Sequence, residues 1–438
     1  MKQIYMDNGA TTKIDPNVLK EMMPYFTDKY ANPSSFHSFG QEAKDAVEKS
    51  RLIIAKAINA DDKEIFFTSG GTESNNLALK GIAFSCKNRS DNKSLDQSEK
   101  NASKKNCTEN QIITTKIEHK CILNTCRWLE EQGFKITYLE VDKEGFVNPE
   151  DIRKSITDKT ILVSIIHANN EVGTIQDLEA IGKVIADVNK YRKKRNINSR
   201  IYFHTDACQS FTKTELDVQK YNLDLVTLNA HKIHGPKGVG ALFIRRELIQ
   251  KGKIISWQHG GSHESGIRAG TENVHGIVGF GKAVEVGMKD MEKNVKHMTL
   301  LRDRLIDGII SAVPNIKLNG PAIQKDSRKN KKISETDRRL CNNINFSFRA
   351  IEGESLGGYL DQKGICSSTG SACNAINLEP SYVLTAMGLD DEEANGSLRL
   401  SLSKFNTEEE VDYVLKVLPK IVEKLRFISP IGKEVNIK

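Results

Sequence analysis

The chain has 438 residues, 38% of them hydrophobic, and a formal net charge of +7, which suits two or three domains of a globular enzyme with a substantial core. Residues 85–110 hold six Lys or Arg against four Asp or Glu and residues 321–340 seven against three, so these two polar segments carry +6 of the +7. The rest is close to neutral, which argues against nucleic acid as a direct partner.

The N-terminus, M-K-Q-I-Y-M-D-N-G-A-T-T, turns polar at once and has no apolar leader, and no apolar run is long enough to span a bilayer. Eight cysteines without a C-x-x-C pair are too sparse for a disulfide scaffold, so a reducing, cytoplasmic setting is expected. The ten histidines are not paired with them at metal-ligand spacing, and no metal is expected.

From about residue 60 to 245 strand-like apolar runs alternate with helical patterns. The strands are expected at Glu64–Thr68, Gln111–Thr115, Lys135–Glu140, Ile161–His167, Arg200–Thr205, Leu223–Leu228 and Val239–Ile244. Helices are expected at Glu73–Phe84, Lys120–Gln132 and Ala180–Arg195. The fold class is α/β with a mostly parallel central sheet, and ligands gather at the carboxyl ends of such strands. The basic run Lys190–Arg195 falls where a helix ends, a favourable place for cations. After residue 285 a helix at Val286–Ser311, short strands and a last helix at Thr407–Leu425 suggest a smaller α+β domain. The expected division is therefore 1–16, joining the small domain or lining the cleft, a large domain at 17–285, and a small domain at 286–438. Segments 85–110 and 321–340 lack the apolar side chains to order themselves, and mobile loops are expected there, with partner docking as the alternative use.

Four stretches carry chemistry. The strand E-I-F-F-T is followed by S-G-G-T-E-S-N-N, with Gly70, Gly71 and Thr72 opening a helix. Small residues at a helix N-terminus suit a phosphate, although glycine before a helix is more often only a turn. In F-H-T-D-A-C-Q-S, Asp206 and Gln209 follow a strand, and a carboxylate there could keep a pyridine nitrogen protonated or merely cap a helix. L-N-A-H-K-I-H-G-P-K-G places Lys232 in a turn beyond a strand, where it could form a Schiff base with an aldehyde cofactor or be a surface charge. C-S-S-T-G-S-A-C-N-A, residues 366–375, surrounds Cys373 with small residues and reads as a loop (366–376) presenting a reactive thiol. Cys121, Cys126 and Cys208 suit buried, inert positions better. Phosphate cradle, acid and lysine on strand ends of one sheet outweigh the three bland readings taken singly.

Together these motifs, with Y-M-D-N-G-A-T-T at Tyr5, N-P-S-S-F-H at Asn32, H-A-N-N-E-V-G-T-I-Q at His167, H-G-G-S-H-E-S-G-I-R-A-G-T at His259 and L-E-P-S-Y-V-L at Leu378, resemble the NifS/IscS-type cysteine desulfurases. These belong to the class V aminotransferases of fold-type I pyridoxal-phosphate enzymes. The resemblance runs nearly end to end, outside the two polar segments. It implies conversion of L-cysteine to L-alanine, with the sulfur left as a persulfide on Cys373. It further implies pyridoxal 5'-phosphate as cofactor, a homodimer, no membrane, and an iron-sulfur scaffold or tRNA-thiolation enzyme as sulfur acceptor.

Carried over motif by motif, Lys232 resembles the Schiff-base lysine, Asp206 the partner of the pyridine nitrogen and Gln209 the partner of the phenolic oxygen. His119, in K-I-E-H-K, would stack on the ring and carry protons. Gly71, Thr72 and His231 would hold the phosphate, with Thr271 supplied by the partner subunit. Asn170 and Arg399, the latter in S-L-R-L-S-L-S, would bind the substrate carboxylate, for which an Arg fork is suited. Three positions depart from the common pattern: Asn229 stands where serine often contacts the phosphate, Asn374 where Thr or Ser is frequent, and Gly71 replaces a common alanine, a change expected to be harmless. Selenocysteine lyase or cysteine-sulfinate desulfinase activity on the same scaffold is the enzymatic alternative. A non-catalytic assembly scaffold is the alternative of another class.

Overall fold

A computed structural model describes residues 3–92, 110–197, 200–323, 338–369 and 380–429. Most of the two polar segments and of the loop bearing Cys373 therefore lies outside the described residues, as do Asn374 and Leu378.

The strands are β1 (Ile4–Tyr5), β2 (Ile65–Thr68), β3 (Gln111–Thr115), β4 (Lys135–Leu139), β5 (Thr160–Ser164), β6 (Tyr202–Asp206), β7 (Leu225–Asn229), β8 (Gly240–Ile244), β9 (Ile316–Leu318), β10 (Asn343–Phe348), β11 (Ile365–Cys366) and β12 (Ser397–Ser401). β2 to β8 form one seven-stranded sheet in the order β2-β8-β7-β6-β5-β3-β4. Only β8 is reversed, running antiparallel to both β2 and β7. Every residue of β2, β3, β5, β6, β7 and β8 is buried. Both faces are thus covered, and this is why apolar residues in these strands occupy successive positions, as in Ile112–Ile113, Ile161–Val163 and Tyr202–Phe203, rather than strictly alternating with polar ones.

The pleat sends neighbouring residues to opposite layers. Phe67, Ile113, Val163, Phe203, Val226 and Phe243 face a core shared with the helices Ser38–Ala57, Leu178–Lys194 and Val274–Lys289. Phe66, Ile112, Leu162, Tyr202, Leu225 and Leu242 face a second core with the helices Gly71–Asn92 and Lys120–Glu131. A third core packs β10 and β12 against the helices Met291–Ala312 and Glu408–Ile428. β12, β10 and β9 form its antiparallel sheet. The N-terminal residues join this part of the molecule, where β1 pairs in parallel with β11 and Ile4 and Met6 enter the same core.

Two helical expectations need correction. The helix expected at Glu73–Phe84 runs from Gly71 to Asn92, eight residues into the first polar segment. The single helix expected at Val286–Ser311 is two, Val274–Lys289 and Met291–Ala312, joined at Asp290 with φ −107° and ψ 15°. The physical reason is that the first packs into the core of the large sheet and the second into the third core, so one straight axis serves neither. Residue 285 consequently falls inside a helix. Leu178–Lys194 ends in Arg192, Lys193 and Lys194, the expected placement of the basic run.

Among the described residues no helix is long and apolar enough to cross a membrane. Six cysteines there are free thiols.

Candidate active site

The carboxyl ends of the parallel strands open onto a cleft of about 230 Å³. β2 ends at Thr68, and Gly71 and Thr72 begin the helix that follows. The first-turn N–H groups of a helix have no intrahelical partner, and its dipole favours an anion there. The turn is tight against its neighbours. A Cβ on Gly71 would lie 2.7 Å from Cys208 Sγ, and one on Gly240 2.7 Å from Gly70 Cα. Glycine fits this turn as it stands, and an alanine at 71 would require Cys208 to move.

Facing the helix start are Asn229, the last residue of β7, and His231, with Asn229 Nδ2 3.4 Å from His231 Nε2. His231 Nδ1 is 3.2 Å from Thr11 Oγ1. Burial, with Lys232, Lys237 and Lys213 nearby, pushes its pKa down to about 4, so the ring is neutral near pH 7.

Asp206 ends β6 and forms one wall of the cleft. Its Oδ1 accepts from the Cys208 N–H at 2.9 Å and its Oδ2 from Asn75 Nδ2 at 2.7 Å. Burial opposes the charge, but His119 and these donors outweigh it and hold the carboxyl below its usual range. The bond to Cys208 N is the cap-like contact of the bland reading, and the same carboxylate also lines the cleft.

His119 caps the helix Lys120–Glu131, its Nδ1 accepting from Cys121 N–H at 3.2 Å. Burial lowers its pKa, Lys232 and Lys120 add to the effect, and Asp206 opposes it. Cys121, expected in the core, instead stands at the second position of this helix with its Sγ 2.9 Å from His119 Nδ1, lining the cleft. Gln209 also lines the cleft and donates from Nε2 to Gly9 O at 2.9 Å.

Lys232 reaches the cleft from a turn that is held on several sides. Thr12 N donates to His231 O at 2.9 Å and His234 N to Thr12 Oγ1 at 2.8 Å. His234 has φ +67°, a left-handed backbone that such bracing sustains. Behind the turn the buried Lys213 ammonium donates to Gln209 O at 2.9 Å and Lys232 O at 3.2 Å.

Arg399, on β12, approaches from the third core. Its Nη1 donates to Asn170 O at 3.0 Å and its Nη2 pairs with Asp7 Oδ1 at 2.9 Å, while its Nε is buried without a partner. Asn170 and Asn229, both on the cleft wall, each have a buried amide oxygen without a partner. The described residues flanking Cys373 are anchored beside these groups: Ser368 exchanges two main-chain bonds with Arg399, and Ser381 Oγ donates to Glu171 Oε2 at 2.5 Å. Thr271 is exposed and does not line the cleft.

The cleft thus gathers Gly71, Thr72, His119, Asn170, Asp206, Gln209, Asn229, His231 and Lys232. The sequence reading missed Asn75, Cys121, Cys208, Asp7 and Lys213. Asn75 was the most accessible of these, since it lies one helical turn beyond Gly71 and so on the same face. The set fits a planar, phosphate-bearing pyridine aldehyde: an anion cradle at the helix start, a buried carboxylate for a ring nitrogen, an imidazole and an amine. The two orphaned amide oxygens are places where a polar ligand would complete the hydrogen bonding.

A family model described as "Aminotransferase class-V" matches residues 4–105 and 93–414, two stretches that overlap within the first polar segment. Over 433 residues the chain is 48% identical to a "Cysteine desulfurase IscS" of Clostridium botulinum, covering 99% of this chain and 98% of that one. A protein of the same description from Methanosarcina thermophila is 47% identical over 430 residues, covering 98% and 94%. Among solved structures, a "NIFS-LIKE PROTEIN" superposes with a TM-score of 0.79 at 37% identity, covering 97% of this chain and 100% of that chain. "SspA in complex with cysteine" gives a TM-score of 0.72 at 34% identity, covering 92% and 100%.

Proposed function

The chain belongs to the class-V aminotransferase family and is a cysteine desulfurase, and we propose that it works with pyridoxal 5'-phosphate in the cleft described above. The observation that carries the cofactor is the pairing, in one cleft, of a buried carboxylate held ionised at Asp206 with the amine of Lys232. Asp206 would face the ring nitrogen, Gln209 the phenolic oxygen and His119 the ring face. Gly71, Thr72, His231 and Asn229 would hold the phosphate, Asn229 through its amide. When bound, the cofactor supplies an electron sink for the substrate Cα.

The chain's own residues do the rest. Asn170 and Arg399 bind the carboxylate of L-cysteine, and the unpartnered Nε of Arg399 is available for it. Lys232 Nζ moves the Cα proton and His119 carries a proton within the same cleft. The Cys373 thiolate attacks the substrate sulfur. The carbon–sulfur bond breaks, a persulfide remains on Cys373 and alanine leaves. The anchoring of Ser368 on Arg399 and of Ser381 on Glu171 supports this role, because both flanks of the Cys373 segment start from the carboxylate site.

The protein acts as a homodimer in the cytoplasm, and the exposure of Thr271 within one protomer supports its service to a partner's phosphate site. The persulfide passes to an acceptor protein, an iron-sulfur scaffold or a tRNA-thiolation enzyme. The test is direct. Purified protein given L-cysteine and a reductant should release alanine and sulfide in equal amounts. Cys373→Ser should keep the lysine–cofactor absorbance and lose sulfide, while Lys232→Ala should lose that absorbance. Alanine without sulfide, or full desulfuration by Cys373→Ser, would refute the assignment.

A further inference from the structure

Between Asp206 and His119 runs a hydrogen-bonded path whose direction can be read proton by proton. Asn75 Nδ2 lies 2.7 Å from Asp206 Oδ2 and 3.0 Å from Cys121 Sγ. The Asp206 carboxylate only accepts, so the amide nitrogen must face it, and its second hydrogen goes to the sulfur. That leaves Asn75 Oδ1 buried without a partner, as observed. Burial first, then the Asp206 charge, pushes the Cys121 thiol up to about 12, so it keeps its hydrogen. The Sγ is 2.9 Å from His119 Nδ1, and the Cys121 N–H also donates to that nitrogen at 3.2 Å. A hydrogen on Nδ1 would collide with the main-chain N–H that the helix cap requires. Nδ1 is therefore an acceptor twice over.

We propose that Cys121 and Asn75 are positioning residues that fix His119 in the tautomer with its proton on Nε2, so that Nε2 alone exchanges protons with the bound substrate. This rests on the reading of His119 as the proton carrier. The charged or titratable groups around the ring are Asp206 at the end of β6, Lys232 in the turn after β7, and Lys120 and Cys121 on its own helix, with Glu118 near Cys121. The thiol and the main-chain N–H both oppose a second proton at Nδ1, which makes the imidazolium harder to form.

The test is nitrogen NMR of histidine-labelled protein, with and without pyridoxal 5'-phosphate and without cysteine, assigning His119 by comparison with His119→Gln. Nδ1 should be unprotonated and Nε2 protonated at neutral pH. Cys121→Ser should keep that pattern, whereas Cys121→Ala should raise the midpoint of ring protonation by about half a pH unit, the size of a weak hydrogen bond. The acidic limb of the kcat profile should move with it at little change in KM. A wild-type ring protonated at Nδ1, or identical midpoints for the Ser and Ala variants, overturns the inference. The tautomer is measured without turnover, so failure of the desulfurase reading would show separately, as absence of alanine from wild-type protein whatever the ring's state.

Discussion

Gly71→Ala tests how closely the phosphate turn and the acid are joined. The new Cβ would lie 2.7 Å from Cys208 Sγ, with Asn229 Nδ2 next at 3.6 Å. Overpacking of this kind costs about 1–3 kcal/mol. Exchanging glycine for alanine in a helix returns up to about 1 kcal/mol, so a net loss of about 1–2 kcal/mol is expected. The displaced residue is the one whose N–H holds Asp206 Oδ1, so the strain reaches the carboxylate proposed to face the ring nitrogen as well as the turn proposed to hold the phosphate. At about 1.4 kcal/mol per tenfold, cofactor binding should weaken by roughly tenfold. Cys208→Ala removes the clashing sulfur but keeps the main-chain bond to Asp206, and in the double variant affinity should recover, with a coupling of about 1–2 kcal/mol between the sites. Equilibrium dialysis of pyridoxal 5'-phosphate against wild type, both single variants and the double variant closes the cycle, with urea midpoints of the apo proteins as the stability readout. Wild-type affinity and stability in Gly71→Ala, or no rescue by Cys208→Ala, would refute the reasoning.

Arg399→Lys keeps a positive charge but loses the fork that reaches Asp7 and Asn170 O together. The KM for cysteine should rise about 10- to 100-fold, the worth of a charged hydrogen bond or two, and an unchanged KM from steady-state alanine release would contradict the carboxylate assignment. Glu118 is buried, and burial, opposed by bonds from Ile166 N and Thr115, pushes its pKa up to about 8 from an ordinary 4.5. A raised folded pKa means that its stability contribution is whole below about pH 4.5 and is lost as pH climbs through about 8. Glu118→Gln should flatten that decline in urea midpoints between pH 5 and 8, and an unaltered pH slope would show that the carboxyl is not held neutral.

Much of the cleft was legible because its chemistry sits at strand ends, and strands buried on both faces announce themselves. β3 spans Gln111–Thr115 as expected, and Asp206 and Asn229 are the last residues of β6 and β7. The helix Val274–Lys289 was not legible, for a physical reason. It holds Gly276, Gly279, Gly281 and Gly287, which lower the helical expectation. In the fold a Cβ at Gly279 would meet Met22 Sδ at 2.5 Å and one at Gly281 Ser50 Cβ at 2.7 Å. These glycines answer to neighbours more than 200 residues away in the chain, which no local pattern records.

The same distinction governs the site. That a histidine two residues before a cysteine could cap a helix is local and readable in principle. That the cysteine then relays an amide held by Asp206 depends on Asn75, 131 residues from that acid. The pairing of Arg399 with Asp7 spans 392 residues. Residue types at strand ends therefore announce which reaction the cleft can run, whereas the protonation state of each reacting atom is set by contacts between distant parts of the chain. Variants at Asn75, Asp7 and Cys208, which lie inside the motifs but were given no role by them, should accordingly alter the pH dependence and substrate affinity of the reaction while leaving its products the same.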